Sequence, residues 1–105
     1  MIESDWKIFK QIKEKAIELF CTKALHEFEV IITDKNEHVH DRYARLYKQV
    51  KKTDKRMAQI FNDHSRSKAT MQLIAIRSEN LAEEKLLSKL SGEFLENTDP
   101  KRFNW

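Results

Sequence analysis

Four histidines and one cysteine are the side chains of this sequence best suited to metal binding or nucleophilic chemistry. His38 and His40 are two residues apart, and on a helix such residues point in different directions, so one ion would not contact both. Glu37 and His40 have the Glu-x-x-His spacing of di-iron bundles, but those sites need a second such motif, which the sequence lacks. Cys21 falls on the apolar face of a predicted helix, where cysteine behaves as a small hydrophobic residue. These residues therefore predict neither a metal site nor a catalytic cysteine.

The sole glycine argues against the common phosphate-binding loops, which place several glycines between a strand and a helix. Gly92 instead falls within the last predicted helix, between Ser91 and Glu93. No zinc-knuckle or nucleophile-elbow motif occurs. We therefore expect a protein that is not an enzyme and that uses no cofactor.

Positive charge is concentrated in the middle of the chain. Residues 41–77 hold 10 Lys/Arg and 3 Asp/Glu, although the net charge of the whole chain is only +3. A possible basic binding face lies on the second predicted helix and consists of Arg45, Lys48, Lys52, Lys55 and Arg56. Such a stripe can bind nucleic-acid phosphates or an acidic protein, or it can be an ordinary solvated helix face.

The segment between the second and third predicted helices is a possible anion-binding loop. It combines hydroxyls, a histidine and two cations in the run His64, Ser65, Arg66, Ser67 and Lys68. If the third helix begins there, its free N–H groups also attract an anion. The alternative is an ordinary capped loop between two helices.

Two aromatic residues stand in the C-terminal tail. Phe103 and Trp105 either pack back on the protein or insert into a partner, because large aromatic side chains are frequent anchors of protein interfaces.

The hydrophobic pattern predicts the helices that position these groups. Apolar residues recur every three or four positions over residues 5–32 and again over 37–62, which predicts a long helical hairpin. Shorter helices over about 68–79 and 82–97 complete an antiparallel four-helix bundle, and the first of these is apolar nearly all round and should be central. The seam of the second helix is predicted to be Val39, Tyr43, Leu46, Val50, Thr53, Met57 and Ile60.

The composition agrees with an all-α protein. One glycine and one proline in 105 residues are too few for the turns of a β-sheet protein. We predict a single helical domain over residues 1–105, with a short aromatic tail over 98–105. The lone cysteine, the absence of a signal-peptide pattern and the lack of an apolar run of ~20 residues predict a cytoplasmic protein without a membrane span.

These patterns favour a small protein-interaction or regulatory module. Its partner would be another protein or a second copy of the chain. The alternative is binding of nucleic acid or another anion through the basic face and the Arg66–Lys68 loop.

Overall fold

A computed structural model of the chain describes residues 1–105 and contains helices but no strands, which confirms the all-α prediction. Three helices are long and two are short, and a 3-10 helix at Pro100–Phe103 ends the chain. The five α-helices are α1 Glu3–Ile32, α2 Val39–Phe61, α3 Arg66–Ser78, α4 Glu84–Leu87 and α5 Gly92–Asn97.

Helices α1 and α2 form the predicted antiparallel hairpin. The turn between them is held by the Asp34 carboxylate, which accepts from the Asn36 amide at 3.1 Å. The ring of His38 accepts from the His40 amide at 3.3 Å and so caps the start of α2. Across the hairpin, Arg42 donates to the Ile32 carbonyl at 2.6 Å, which places a cation at the negative C-terminal end of α1.

The hydrophobic core lies at the end of the hairpin away from its turn, which we call the base. There the N-terminal half of α1 and the C-terminal end of α2 pack against α3, α4 and α5. Helix α3 is central, as predicted, because most of its apolar side chains are buried and only Met71 is exposed. The core residues include Phe9, Ile12, Ala16, Ile60, Phe61, Ala69, Leu73, Ile76, Leu86, Leu87, Leu90 and Phe94.

The prediction of one continuous helix over 82–97 is wrong, since the structure divides this segment into α4 and α5. Gly92 is the first residue of α5 rather than the middle of a helix, and Ser91 is the residue that caps it. The Ser91 hydroxyl accepts from the Phe94 amide at 3.2 Å. Leu86, Leu87, Leu90 and Phe94 are all buried in the core on either side of this break.

The other end of the hairpin extends beyond the core, and the molecule measures 53 × 24 × 23 Å. We call residues 25–50 the arm. Only Ile31 is buried within it, because no third helix packs over this part of the hairpin. None of the helices combines the length and the apolar character needed to cross a membrane.

Candidate interaction surfaces

Two of the five residues of the basic face are neutralised by carboxylates. Arg45 contacts Glu37 at 2.5 Å and Asp34 at 3.6 Å, so it belongs to the turn of the hairpin. Arg56 pairs with Glu79 at the C-terminal end of α3. Both arginines therefore hold parts of the fold together.

The three lysines of the basic face are free. Lys48, Lys52 and Lys55 are exposed, and none lies within 4 Å of a carboxylate. At about 100° per residue they occupy roughly 60° of the helix circumference, and Lys52 borders a groove between α2 and α1. The ammonium groups of this narrow stripe are all available to an anionic partner.

The predicted anion-binding loop is built around a buried lysine that sequence reasoning missed. The Lys13 ammonium donates to the Asp63 carbonyl at 2.6 Å and contacts His64 Nδ1 at 3.0 Å. Burial lowers the pKa of Lys13 below its usual 10.5, and the nearby Asp63 carboxylate opposes this shift. The side chain of Gln72 also donates to the Asp63 carbonyl. The loop is thus fastened to α1 and α3 from inside.

The remaining groups of this loop bind one another. Ser65 and Ser67 share a hydrogen bond between their hydroxyls at 3.1 Å. The Asp63 carboxylate accepts from the Ser65 amide at 2.9 Å, and hydrogen bonds from Ser65 lower the pKa of Asp63 below 3.8. Arg66 pairs with Glu3, and its guanidinium lies 5.3 Å from the centre of the Trp6 ring. Of the five predicted residues only Lys68 presents an unpaired charge, beside the negative charge of Asp63, and this weakens the case for an anion site.

The aromatic tail packs partly against the base. Phe103 borders a groove formed with Met1 and Ile2, and Trp105 lies near α3 between Arg77 and Met71. Asp99 caps the terminal 3-10 helix by accepting from the Lys101 amide at 3.0 Å. Phe103 keeps 44% of its surface exposed and Trp105 53%, so each is packed on one side only.

The arm carries an exposed apolar face, although three of its residues, Val39, Tyr43 and Val50, are predicted to lie in the seam of the hairpin. On α2 this face consists of Val39, Tyr43, Tyr47 and Val50, with Tyr43 72% exposed. At about 100° per residue the four residues span roughly 80° of the helix. The lysine stripe lies on the opposite side of α2, so helix α2 separates an apolar side from a cationic side.

A matching stripe runs along α1. It contains Leu25, which is 66% exposed, Ile32, which is 53% exposed, and the half-buried Phe28. Viewed from the N-terminus of each helix along its axis, the exposed stripe lies clockwise of the residues that contact the other helix. Because the two right-handed helices are antiparallel, both stripes fall on the same side of the hairpin. We call the combined surface the arm face: Leu25, Phe28, Ile32, Val39, Tyr43, Tyr47 and Val50.

The other side of the hairpin is partly covered. A groove there is lined by Lys23 and Glu27 of α1, by Gln49 and Lys52 of α2, and by the segment that follows α3 at Leu81. The Gln49 amide donates to the Glu27 carboxylate across this groove at 3.2 Å. This side is therefore polar, and the arm face is the apolar side of the projecting hairpin.

The histidines and the cysteine occupy ordinary positions. His38 is the capping residue of α2, and His64 contacts Lys13. Cys21 is half-buried in the α1 stripe, one turn before Leu25. No three His, Cys, Asp or Glu side chains lie close enough together to hold a metal ion.

A scan against models of protein families, a search of curated proteins and a search of solved structures find no significant match to this chain.

Proposed function

We propose that this chain is a non-enzymatic protein-interaction module that binds its partner through the arm face. The observation that carries the proposal is the unpartnered apolar side of the projecting hairpin. Apolar side chains on a protein surface are ordinary when they are scattered. Here six exposed ones stand together on two adjacent helices, and such patches are typical of interaction sites.

The composition of the arm face also suits protein binding. Tyr43 and Tyr47 offer large apolar rings with polar tips, and tyrosine is enriched at the centres of interfaces. The neighbouring residues Leu25 and Ile32 add aliphatic surface on α1. The arm face itself contains no lysine or arginine, and the one ammonium over it is that of Lys51, which lies 5.3 Å from the centre of the Tyr47 ring.

Affinity capture from cells that express the chain tests this proposal. The tagged wild type is compared with a Leu25→Glu/Tyr43→Glu variant and with a matched Lys48→Glu/Lys52→Glu control on the opposite side of α2. We expect specific proteins, a differently tagged copy of the chain included, to be recovered with the wild type and the control but not with the arm variant. Recovery that does not depend on the arm face would contradict the proposal.

A second candidate function is binding of nucleic acid, favoured by the three unpaired lysines of the basic face. The affinity for a short duplex should then fall steeply as salt rises, because each neutralised phosphate releases counterions. The Lys48→Glu/Lys52→Glu variant should lose that binding while the arm variant retains it. The two assays therefore separate the two functions with the same pair of variants.

A further inference from the structure

The exposed area of the arm face is close to one side of a stable protein interface. Its six exposed side chains present on the order of 700 Å² to solvent, from exposed fractions between 42% and 72% and about 150–250 Å² for a fully exposed aromatic side chain. The largest apolar patch of a typical monomer is about 300–600 Å², whereas a standard interface buries about 800 Å² on each partner. The arm face thus has the size of an interface.

The arm face is also symmetric about its own middle. The contacts of Arg42 with Ile32 and of Gln49 with Glu27 fix the register of the hairpin. In this register Phe28 and Tyr47 stand at the same height. On α1, Leu25 lies one turn toward the base and Ile32 one turn toward the tip. On α2, Val50 lies one turn toward the base and Tyr43 one turn toward the tip, so the turns on either side of the middle are apolar, and Val39 extends the face at the tip.

The geometry points to a second copy of this chain as the occupant of the arm face, and this rests on the proposed function. The two arms lie antiparallel, with the two-fold axis at the height of Phe28 and Tyr47. Leu25 of each copy then meets Ile32 of the other, and Tyr43 meets Val50. Phe28 and Tyr47 each meet their own equivalents. Together the two hairpins form a four-helix bundle in which the arm residues become the core.

The charges at the ends of the arm face favour this antiparallel arrangement. Asp54 follows Val50 by one turn on the same stripe of α2, is exposed and forms no ion pair. In the antiparallel dimer it stands opposite His40 of the second copy, whose ring N–H is a suitable donor to a carboxylate. In a parallel dimer the same register would place Asp54 at the height of Cys21 of the second copy, where it would gain no charged partner.

Sedimentation equilibrium of the full chain is the first test. We expect a reversible monomer–dimer equilibrium in the wild type and in Lys52→Glu. In Tyr47→Glu the dimer should be weakened by about thirtyfold or more, which is the effect of losing a hot-spot residue. A wild type that remains monomeric up to about 1 mM, a concentration at which even weak complexes form, would overturn the inference.

Two further experiments test the register. In a Cys21→Ser background, Tyr47→Cys should form a disulfide-linked dimer on oxidation, because the two-fold axis brings residue 47 next to itself, whereas Lys55→Cys should not. His40→Asp should weaken the dimer by placing a carboxylate opposite Asp54. Adding Asp54→Lys to His40→Asp should restore it. Cross-linking through Lys55→Cys instead, or no rescue by the second substitution, would overturn the antiparallel arrangement.

The results of these experiments test the dimer separately from the proposed interaction function. A monomeric chain whose captured proteins are still lost in Leu25→Glu/Tyr43→Glu would overturn the dimer and leave the interaction module in place. A monomeric chain whose captured proteins do not depend on the arm face would overturn both.

Discussion

Asp5 and Ser91 are 86 residues apart in the chain and are joined by two hydrogen bonds. The Ser91 amide donates to Asp5 Oδ1 at 2.8 Å, and the Ser91 hydroxyl donates to Oδ2 at 2.6 Å. The same hydroxyl accepts from the Phe94 amide at the start of α5. A buried carboxylate on α1 thereby fixes the residue that caps α5, and the two ends of the chain are held together.

Removing this carboxylate should destabilise the fold strongly. Asp5→Ala would lose two charge-assisted hydrogen bonds and leave the half-buried Ser91 amide without a partner. We expect the free energy of unfolding to fall by about 2–3 kcal/mol, measured by urea denaturation. Glu14→Ala, which removes an exposed carboxylate of the same helix that forms no ion pair, should change it by less than about 0.5 kcal/mol. Equal effects of the two substitutions would show that Asp5 does not position Ser91.

Lys13 should make the stability depend on pH in the alkaline range. Burial lowers its pKa below 10.5 in the folded chain, so the unfolded chain holds this proton more tightly. The cost of keeping Lys13 charged is present below the folded pKa and is relieved as pH rises from there toward 10.5. The free energy of unfolding of the wild type should therefore rise relative to that of Lys13→Met over this window. Urea denaturation of both proteins from neutral pH to pH 10.5 measures the difference, and a constant difference would contradict the prediction.

Gly92 is open to stabilisation by alanine. It is the first residue of α5, its φ is not positive, and a Cβ atom there would meet no atom within 4 Å. Gly92→Ala should raise the free energy of unfolding by about 0.4–1 kcal/mol, since it reduces the freedom of the unfolded chain. Ser91→Ala, one residue earlier, should lower it by about 1–2 kcal/mol through loss of the cap. A destabilising Gly92→Ala in thermal or urea denaturation would argue against this account of the helix start.

The aromatic tail should contribute modestly to stability and not to association. Phe103 and Trp105 are each about half exposed, so replacing both by alanine should cost roughly 2 kcal/mol, half of the value for two fully buried side chains. The monomer–dimer equilibrium of Phe103→Ala/Trp105→Ala should match that of the wild type in sedimentation. A dimer that dissociates in this variant would place the interface at the tail and not at the arm face.

The hairpin and the central position of α3 follow from the sequence because their apolar periodicity is long and regular. The exact seam of α2 does not follow from it. The apolar residues of α2 cover enough of its circumference to face both α1 and a second surface. Periodicity alone does not identify which of them contact α1. In the structure Tyr43 and Val50 are exposed, while Gln49 and Arg42 bond to α1 across the hairpin.

The sequence pattern also does not predict that the last helix, over residues 82–97, is divided in two. The run Leu86, Leu87, Leu90 and Phe94 is consistent with one helix, and all four residues are buried as expected of its stripe. The break at Ser91 depends on Asp5, which is distant in sequence and which no local pattern links to it. Likewise, the ammonium of Lys13 lies inside the predicted anion-binding loop. Helical periodicity does place Lys13 on the apolar face of α1, one turn from Phe9 and from Ile17, but its charge argued against burial.

The lack of a third helix over residues 25–50 divides the molecule into two parts of different local stability. Amide protons at the base should exchange with solvent only on global unfolding, while those near Ile32 and Tyr43 exchange through smaller openings of the hairpin tip. A partner that covers the arm face would suppress this local unfolding. The free energy needed to order the tip would then reduce the net free energy of binding. For a second copy of the chain, the melting temperature would then rise with protein concentration.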